Sequence, residues 1–432
     1  MPLTATAIAD RTATVGILGL GYVGLPLACV FAEAGFPVIG FDIDQAKVES
    51  LRRGESYIKH LGDDRITRLV DTGRFSATSD FAQAARCDAL IICVPTPLDH
   101  HLQPDLSFIE RTVEAIAPHV RPHSLVALES TTWPGTTVEV VRPILERLGK
   151  GLRVGDTLHL CFSPEREDPG NPTFSTKTIP KLVGGVDAPS RELATALYGA
   201  AIDTVIPVSS TQVAEMAKLF ENIFRGVNIA LVNEMKVILD RMGIDVWEVI
   251  RAASTKPFGF MPFYPGPGLG GHCIPLDPFY FSWKAKEFGM NARFIELAGE
   301  INRAMPQYVV GKVQDCLNAH GKPLKGSRVL ILGLAYKANI DDLRESPSLV
   351  LIELLEAKGA IVSYHDPHIP VIPPTREHAA FAGRRSVEVS AAFDVLLLST
   401  AHRGYDARLL SHGVPMVDTR NVLPRGPLVF PA

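Results

Sequence analysis

Four glycines and two prolines lead into a single cysteine, and a carboxylate follows four residues later: Pro265-Gly266-Pro267-Gly268-Leu269-Gly270-Gly271-His272-Cys273-Ile274-Pro275-Leu276-Asp277. Glycine lets backbone approach a ligand closely, and proline stiffens the loop around it. A thiol at the end of such a loop, where a helix can begin, becomes a nucleophile when backbone N–H groups favour its thiolate. The same stretch also reads as a glycine-rich turn carrying an inert cysteine. The rest of the chain shifts the balance toward the first reading.

A second constellation opens the chain. Thr14-Val15-Gly16-Ile17-Leu18 is a short apolar run of strand type. It leads into Gly19-Leu20-Gly21-Tyr22-Val23-Gly24 and the helix-like Leu25–Gly35, and Val38-Ile39-Gly40-Phe41-Asp42 reads as a second strand ending in an acid. Strand, GxGxxG, helix, strand and acid stand in the order of a dinucleotide-binding unit, and Asp42 falls 18 residues after Gly24, close to the spacing for an acid that binds a ribose 2′-OH. A pyrophosphate must sit against bare backbone at a helix N-terminus, which is why glycines are needed there. Asp42 favours NAD over NADP because a carboxylate repels a 2′-phosphate. Arg52 and Arg53 lie further on.

Further chemistry-bearing residues follow other strand-like runs. Ala89–Val94 ends at Pro95-Thr96-Pro97, Ser124–Glu129 at Ser130-Thr131-Thr132, and His159–Phe162 at Ser163-Pro164-Glu165-Arg166-Glu167. Ligands of open α/β sheets gather at the carboxyl ends of strands, so these hydroxyls, prolines and acids fit a cofactor cleft, or cap ordinary loops. Residues 211–242 change character: they contain no proline, and Val213, Met216, Phe220, Phe224, Leu231 and Met235 recur at helical spacing. A helix this long suits a spine between two domains or a dimer interface. Lys218 and Asn222 share one of its faces, where they meet a substrate oxygen or form a solvated polar face.

The elements that must position these residues are those of a large α/β protein. With 432 residues, 46% hydrophobic and 21% charged, the chain has core material for two or three domains. Its net charge of -4 argues against nucleic acid or anionic membrane as the main partner. Six widely spaced cysteines, none in a CxxC pair, give neither a zinc site nor a disulfide framework. Five of them lie in apolar or helical surroundings and read as buried small residues. With no signal segment and no long apolar run, the expected compartment is the cytoplasm. Residues 1–13 read as polar and loose, the helical pattern resumes over 278–304, and 306–318 reads as another helix. Ser327–Lys337, Ile361–Pro367, Ala392–Leu398 and Val414–Arg420 supply the strand signals of a second, smaller α/β domain. The expected architecture is two Rossmann-like doubly wound domains joined by a central helical domain with a long spine helix: 1–208, 209–305 and 306–432. The βα alternation predicts a parallel first sheet with helices on both faces, and two such domains around a spine create a cleft at or beside the Cys273 loop.

With those residues in place, the sequence resembles the UDP-glucose/GDP-mannose dehydrogenase family over nearly its whole length. The matching stretches are Gly19–Gly24, Val94–Thr96, Ser130-Thr131, Ser163-Pro164-Glu165, Lys218–Asn222, Gly270–Cys273 with Asp277, and Gly333–Lys337 with Asp341–Arg344. The resemblance implies NAD-dependent, four-electron oxidation of a nucleotide-sugar primary alcohol to a carboxylate. It also implies an N-terminal NAD domain, a central dimerisation domain that makes a homodimer, and a C-terminal UDP-sugar domain, in an enzyme serving surface polysaccharide synthesis. The run His272–Tyr280 is similar to the branch that oxidises UDP-N-acetylhexosamines, since His272 and Leu276 replace the serine and lysine usual in the glucose branch. By that resemblance Cys273 is the nucleophile and Lys218 and Asn222 stabilise oxyanions. Asp277 and Thr131 position or activate water, and Glu165 is the base, with Glu167 a weaker substitute. NAD falls to Gly19, Gly21, Tyr22, Val23, Gly24, Asp42, Pro95, Thr96, Thr131 and Arg344. The UDP-sugar falls to Glu165, Lys218, Asn222, Gly270, Lys337 and Arg420, and no metal is implied.

The chemistry explains the cysteine. Two hydrides must leave one carbon, and a thiolate can hold the intermediate aldehyde as a thiohemiacetal, which becomes a thioester that water hydrolyses. Two other classes stay open: a two-electron NAD dehydrogenase with a structural cysteine, and a non-catalytic sensor of the nucleotide sugar.

Overall fold

The computed structural model describes residues 3–58, 61–99, 103–166, 173–271, 273–375 and 377–432, and at 273 the backbone alone. The chain divides into two compact units, 1–221 with 279–290, and 222–278 with 291–432.

The first unit is built on an eight-stranded sheet: β1 Val15–Leu18, β2 Val38–Phe41, β3 Phe75–Thr78, β4 Ala89–Ile92, β5 Leu125–Leu128, β6 His159–Phe162, β7 Lys181–Gly185 and β8 Val205–Val208. Their spatial order is β3-β2-β1-β4-β5-β6-β7-β8. β1, β2, β4 and β5 are buried at every position, as expected of strands covered by helices on both faces. All pairings are parallel except β6 with β7, which departs from the all-parallel sheet expected from sequence. A parallel return needs a crossover, usually a helix. The described residues between β6 and β7 contain none, so β7 starts at the end of the sheet where β6 finishes. Residues 1–13 are not wholly loose either: Ala5–Ala9 forms a short helix capped by Thr4 and anchored by buried Ile8.

The second unit has five parallel strands, β9 Arg328–Leu332, β10 Ile361–His365, β11 Val395–Leu398, β12 Met416–Asp418 and β13 Val429–Pro431, in the order β10-β9-β11-β12-β13. Asp366, just after β10, accepts from the N–H groups of Leu334 and Ala335 at 2.6 and 3.0 Å, and so clamps the turn that leaves β9 toward Lys337. His402 packs against it. Its Nδ1 accepts from the Asn339 N–H at 2.9 Å, so Nε2 carries the proton donated to Asp366 at 2.9 Å.

The spine helix runs over Thr211–Met242 as the periodicity predicts. The helical pattern expected over 278–304 is instead two helices, Cys273–Ala285 and Arg293–Ala319, and the second runs straight through the expected boundary at Pro306. Proline removes only one N–H, and its flanking turns stay bonded because that face is buried at Asn302, Met305, Val309 and Val310. Among the described residues no helix is long and apolar enough to cross a membrane.

Burial opposes ionisation of Asp366, but hydrogen bonds from His402, Ala335 and His368 outweigh it and hold the carboxyl below its ordinary range. A carboxyl with a lower pKa in the folded state stabilises the fold above its unfolded pKa and gives that up as pH falls through the folded value. Asp366→Asn should therefore cost about 1–3 kcal/mol at neutral pH, and the difference from the parent should shrink once pH falls below about 4. Urea unfolding at a series of pH values checks this, and a pH-independent difference contradicts it.

Candidate active site

In the first unit the loop after β1 is shaped for a pyrophosphate. Gly19 has φ +92°, and a Cβ there would lie 2.9 Å from the Cys93 carbonyl oxygen. A Cβ on Gly24 would lie 1.9 Å from the Gly19 carbonyl oxygen, so the turn closes only on glycine. A Cβ on Gly21 would meet nothing within 4 Å: backbone faces open space where a ligand can approach. Val23 is the N-cap of the helix Gly24–Glu33, and Tyr22 is exposed beside it. Asp42 is buried after β2, where Oδ2 accepts from the Leu20 N–H at 2.9 Å and Oδ1 from the Asp44 N–H at 3.0 Å. Each carboxylate oxygen keeps a second lone pair. These residues fit NAD, with the N–H groups of the turn for its phosphates and Asp42 for a ribose hydroxyl.

The next strand ends lie alongside. Pro95 is exposed, and Thr96 is buried with its carbonyl accepting from the Tyr280 hydroxyl. Thr131 is half-buried, whereas the Thr132 hydroxyl is buried with no hydrogen-bond partner among the described residues. Glu215, on the spine helix, holds this loop by accepting from the N–H groups of Gly135 at 2.6 Å and Thr137 at 2.9 Å. Glu165 follows β6, 7% exposed, near the buried Lys181. Glu167 lies outside the described residues.

In the second unit Cys273 opens the helix Cys273–Ala285. A helix N-terminus presents unpaired N–H groups that favour negative charge. The other five cysteines are buried, and burial pushes Cys29 up to about 11 and Cys87 and Cys316 up to about 12. Those thiols stay protonated and poorly nucleophilic near neutral pH. Asp277, fully buried, stands one turn after Cys273 and accepts from Asn222 Nδ2 at 2.5 Å. Arg225 donates to Asn222 Oδ1, which fixes the amide's orientation. His272 lies outside the described residues.

The glycine loop packs on the second sheet's turns. The Gly271 N–H donates to the Arg344 carbonyl at 2.9 Å, and at φ +81° a Cβ on Gly271 would sit 2.9 Å from the Tyr336 ring. A Cβ on Gly270 would lie 2.5 Å from Tyr336 Cβ, and one on Gly266 would lie 2.7 Å from the Arg420 guanidinium. Arg420 donates to the Ser399 carbonyl at 2.6 Å, and burial, only partly opposed by Asp418, lowers its pKa to about 10. Lys337 is half-buried in the turn after β9. Arg344 forms an ion pair with Asp342 at 2.6 Å.

The spine helix buries polar side chains beside Ala214, Leu219, Ala230 and Leu239 and leaves a row of apolar ones exposed. Glu215, Lys218, Asn222, Asn233 and Lys236 are buried, while Phe220, Phe224, Leu231, Met235, Ile238 and Met242 are exposed. The burial of Lys218 and Asn222 removes the solvated-face reading. The remaining polar positions were missed from sequence. Asn233 Oδ1 accepts from the Gly266 N–H at 3.0 Å, and its Nδ2 donates to Asn302 at 2.9 Å, tying the glycine loop to the spine. The available signal was the recurrence of polar residues at steps of three, four and eleven.

Comparison with known proteins identifies the family. Models of the UDP-glucose/GDP-mannose dehydrogenase family match residues 13–202 (NAD binding domain), 212–304 (central domain) and 330–425 (UDP binding domain). A UDP-N-acetyl-D-glucosamine 6-dehydrogenase of Pseudomonas aeruginosa is 36% identical over 390 residues, 90% of each chain. The chain belongs to the UDP-glucose/GDP-mannose dehydrogenase family. It is an NAD-dependent oxidoreductase acting on a CH–OH group of a nucleotide sugar. An NDP-N-acetyl-D-galactosaminuronic acid dehydrogenase of Ralstonia nicotianae is 36% identical over 95% of this chain and 96% of its own. The solved UDP-D-ManNAc dehydrogenase of Pyrococcus horikoshii superposes with a TM-score of 0.86 at 31% identity, covering 97% of this chain and 98% of that one.

Asp42→Ala should weaken NAD binding by about 1–3 kcal/mol and erode the preference for NAD over NADP. Asp42→Asn, which keeps an acceptor for the Leu20 N–H, should retain more affinity but lose the same discrimination. Titrating both cofactors by fluorescence checks this, and an unchanged preference would assign the 2′-position to another residue.

Proposed function

We propose that this dehydrogenase oxidises C6 of a UDP-N-acetylhexosamine, with UDP-N-acetylglucosamine as preferred substrate, from primary alcohol to carboxylate through a covalent adduct on Cys273. The observation that carries the proposal is local: Asp277 stands one helical turn after Cys273 and is hydrogen-bonded to Asn222 at 2.5 Å. A nucleophile's position, a carboxylate and an oriented amide thus meet at one helix N-terminus. NAD, when bound, accepts a hydride at each of the two oxidation stages.

The residues divide the remaining work. The Cys273 thiolate adds to the C6 aldehyde and makes a C–S bond, and the resulting oxyanion is stabilised by the Lys218 ammonium and the Asn222 amide. After the second oxidation that carbon is a thioester. Glu165 takes a proton from water as it attacks, with Asp277 and Thr131 positioning the water, and the C–S bond breaks to return the thiolate. Lys337 and Arg420 hold the UDP phosphates by charge-assisted contacts, with Gly270 against the substrate and Arg344 reaching the cofactor. This assignment keeps three domains, 1–208 for NAD, 209–305 for dimerisation and 306–432 for the UDP-sugar. The exposed stripe from Phe220 to Met242 favours a homodimer, since a large apolar strip of this kind is ordinarily covered.

The acetamido group supports the choice of sugar class. It is larger than a hydroxyl and carries both a donor and an acceptor. A pocket built for it leaves polar groups unpaired when a plain sugar binds, at roughly 1–3 kcal/mol for each. The three relatives named above carry N-acetylated glucosamine, galactosamine and mannosamine in their names, and the run His272–Tyr280 is similar to that branch.

Cys273→Ser should abolish steady-state turnover while leaving NAD and UDP-sugar binding near normal, because serine keeps the size but is a poor nucleophile at its ordinary pKa. Calorimetric titration alongside NADH assays tests this, and near-normal turnover would end the covalent reading. For the substrate, kcat/KM should rank UDP-N-acetylglucosamine above its mannosamine and galactosamine epimers and well above UDP-glucose. A preference for UDP-glucose would overturn the choice of sugar class and leave the family assignment standing.

A further inference from the structure

Glu129 follows β5, Glu165 follows β6 and Lys181 opens β7. The antiparallel return of β7 carries Lys181 to the end of the sheet where the other two stand. All three are buried, with exposures of 1, 7 and 5%. The Lys181 ammonium donates to Glu129 Oε2 at 2.9 Å and lies 3.6 Å from Glu165 Oε2. It also donates at 3.3 Å to the carbonyl of Pro164, the residue before Glu165. The second oxygen of Glu129 accepts from the Tyr198 hydroxyl at 2.6 Å. Glu165 Oε1 accepts from the Arg166 N–H at 2.8 Å, whereas Oε2 is buried without a hydrogen-bond donor among the described residues. Two carboxylates therefore share one lysine, and the sharing is unequal.

We propose that Lys181 is a positioning residue for Glu165: anchored by Glu129 and Tyr198, it fixes the turn at Pro164 and supplies the buried positive charge that favours the ionised, proton-accepting form of Glu165. The inference rests on Glu165 being the base of the proposed reaction. Burial pushes Lys181 toward its neutral form, but Glu129 and Glu165 outweigh it and hold the ammonium above the ordinary lysine pKa. Other titratable and charged groups also face this cluster. The Cys93 thiol, after β4, is held well above its ordinary value by burial and by Glu129. Lys218 acts on that same thiol from the spine helix, and the Arg166 guanidinium is paired with Glu221 at 2.7 Å.

The proposal makes two changes of opposite sign. Glu129→Gln releases Lys181 toward Glu165 and removes a nearby negative charge, so the acid limb of the pH profile of kcat/KM should move down. Lys181→Met combined with Glu129→Gln removes the pair together and leaves no uncompensated buried lysine or Glu129 charge. Its acid limb should move up by about 1–3 pH units, the usual effect of an opposite charge within ~4–6 Å. KM for NAD should stay at the parent value in both. NADH formation from UDP-N-acetylglucosamine, followed across pH for the parent and both variants, reads these limbs. A purely structural role lowers the rate alike at every pH, so profiles of unchanged shape overturn the proposal. If the double variant does not fold, Glu129→Gln, a near-isosteric change, carries the test alone: a downward limb supports the proposal, and a fixed one overturns it. Glu165→Gln run alongside separates the two readings, since undiminished turnover there removes Glu165 as the base whatever Lys181 does.

Discussion

A backbone N–H that turns away from the end of a strand must find another acceptor, and in this enzyme the acceptors at the functional turns are buried carboxylates. Asp42 takes the Leu20 N–H of the cofactor turn, Glu215 those of Gly135 and Thr137, and Asp366 those of Leu334 and Ala335. Asp418 takes those of Arg420, Val422 and Leu423 at 2.8, 2.9 and 2.9 Å. A buried carboxylate is costly unless several donors meet it, so each turn and its acid fix one another. The two sheets repeat the device, with an acid after the second strand of each βαβ unit, Asp42 in one and Asp366 in the other, bonded to the turn after the first.

The same constraint shapes the spine helix. A helix that must place Glu215, Lys218, Asn222 and Asn233 against loops has to bury its polar face. Several of its apolar residues are then left on the outside, as Phe220, Phe224 and Leu231 are. A polar stripe is tolerable there because each amide is committed. Asn222 is held between Arg225 and Asp277, and Asn233 between Gly266 and Asn302. The glycines of the Pro265–Gly271 loop follow from the opposite side. Side chains at Gly266, Gly270 or Gly271 would collide with Arg420 or Tyr336, so the loop lies flat on the turns that carry Lys337 and Arg420.

Local patterns were legible in the sequence. The GxGxxG turn with Asp42, the central strands of both sheets and the spine helix depend on residues close in the chain, and the spine's limits match. What could not be read was set by distant partners. The antiparallel entry of β7 goes with a connection whose described residues hold no helix. The helix through Pro306 depends on a buried face that outweighs one missing hydrogen bond. The cluster of Glu129, Lys181 and Tyr198 joins the residue after β5, the first of β7 and one in a later helix, 52 and 69 residues apart in its two hydrogen-bonded pairs. No spacing rule connects them. The apolar stripe of the spine was visible from sequence, but periodicity cannot say which face is buried, and here the stripe from Phe220 to Met242 is the exposed one.

In the proposed reaction one cysteine carries a sugar carbon through two oxidations without releasing the aldehyde. The most direct measurement is stoichiometric: a limiting, weighed amount of UDP-N-acetylglucosamine is consumed to completion with excess NAD, and NADH and the sugar product are both quantified. Two NADH per sugar and a C6 carboxylate with no free aldehyde are expected. One NADH per sugar, with aldehyde as the accumulated product, would contradict that reaction.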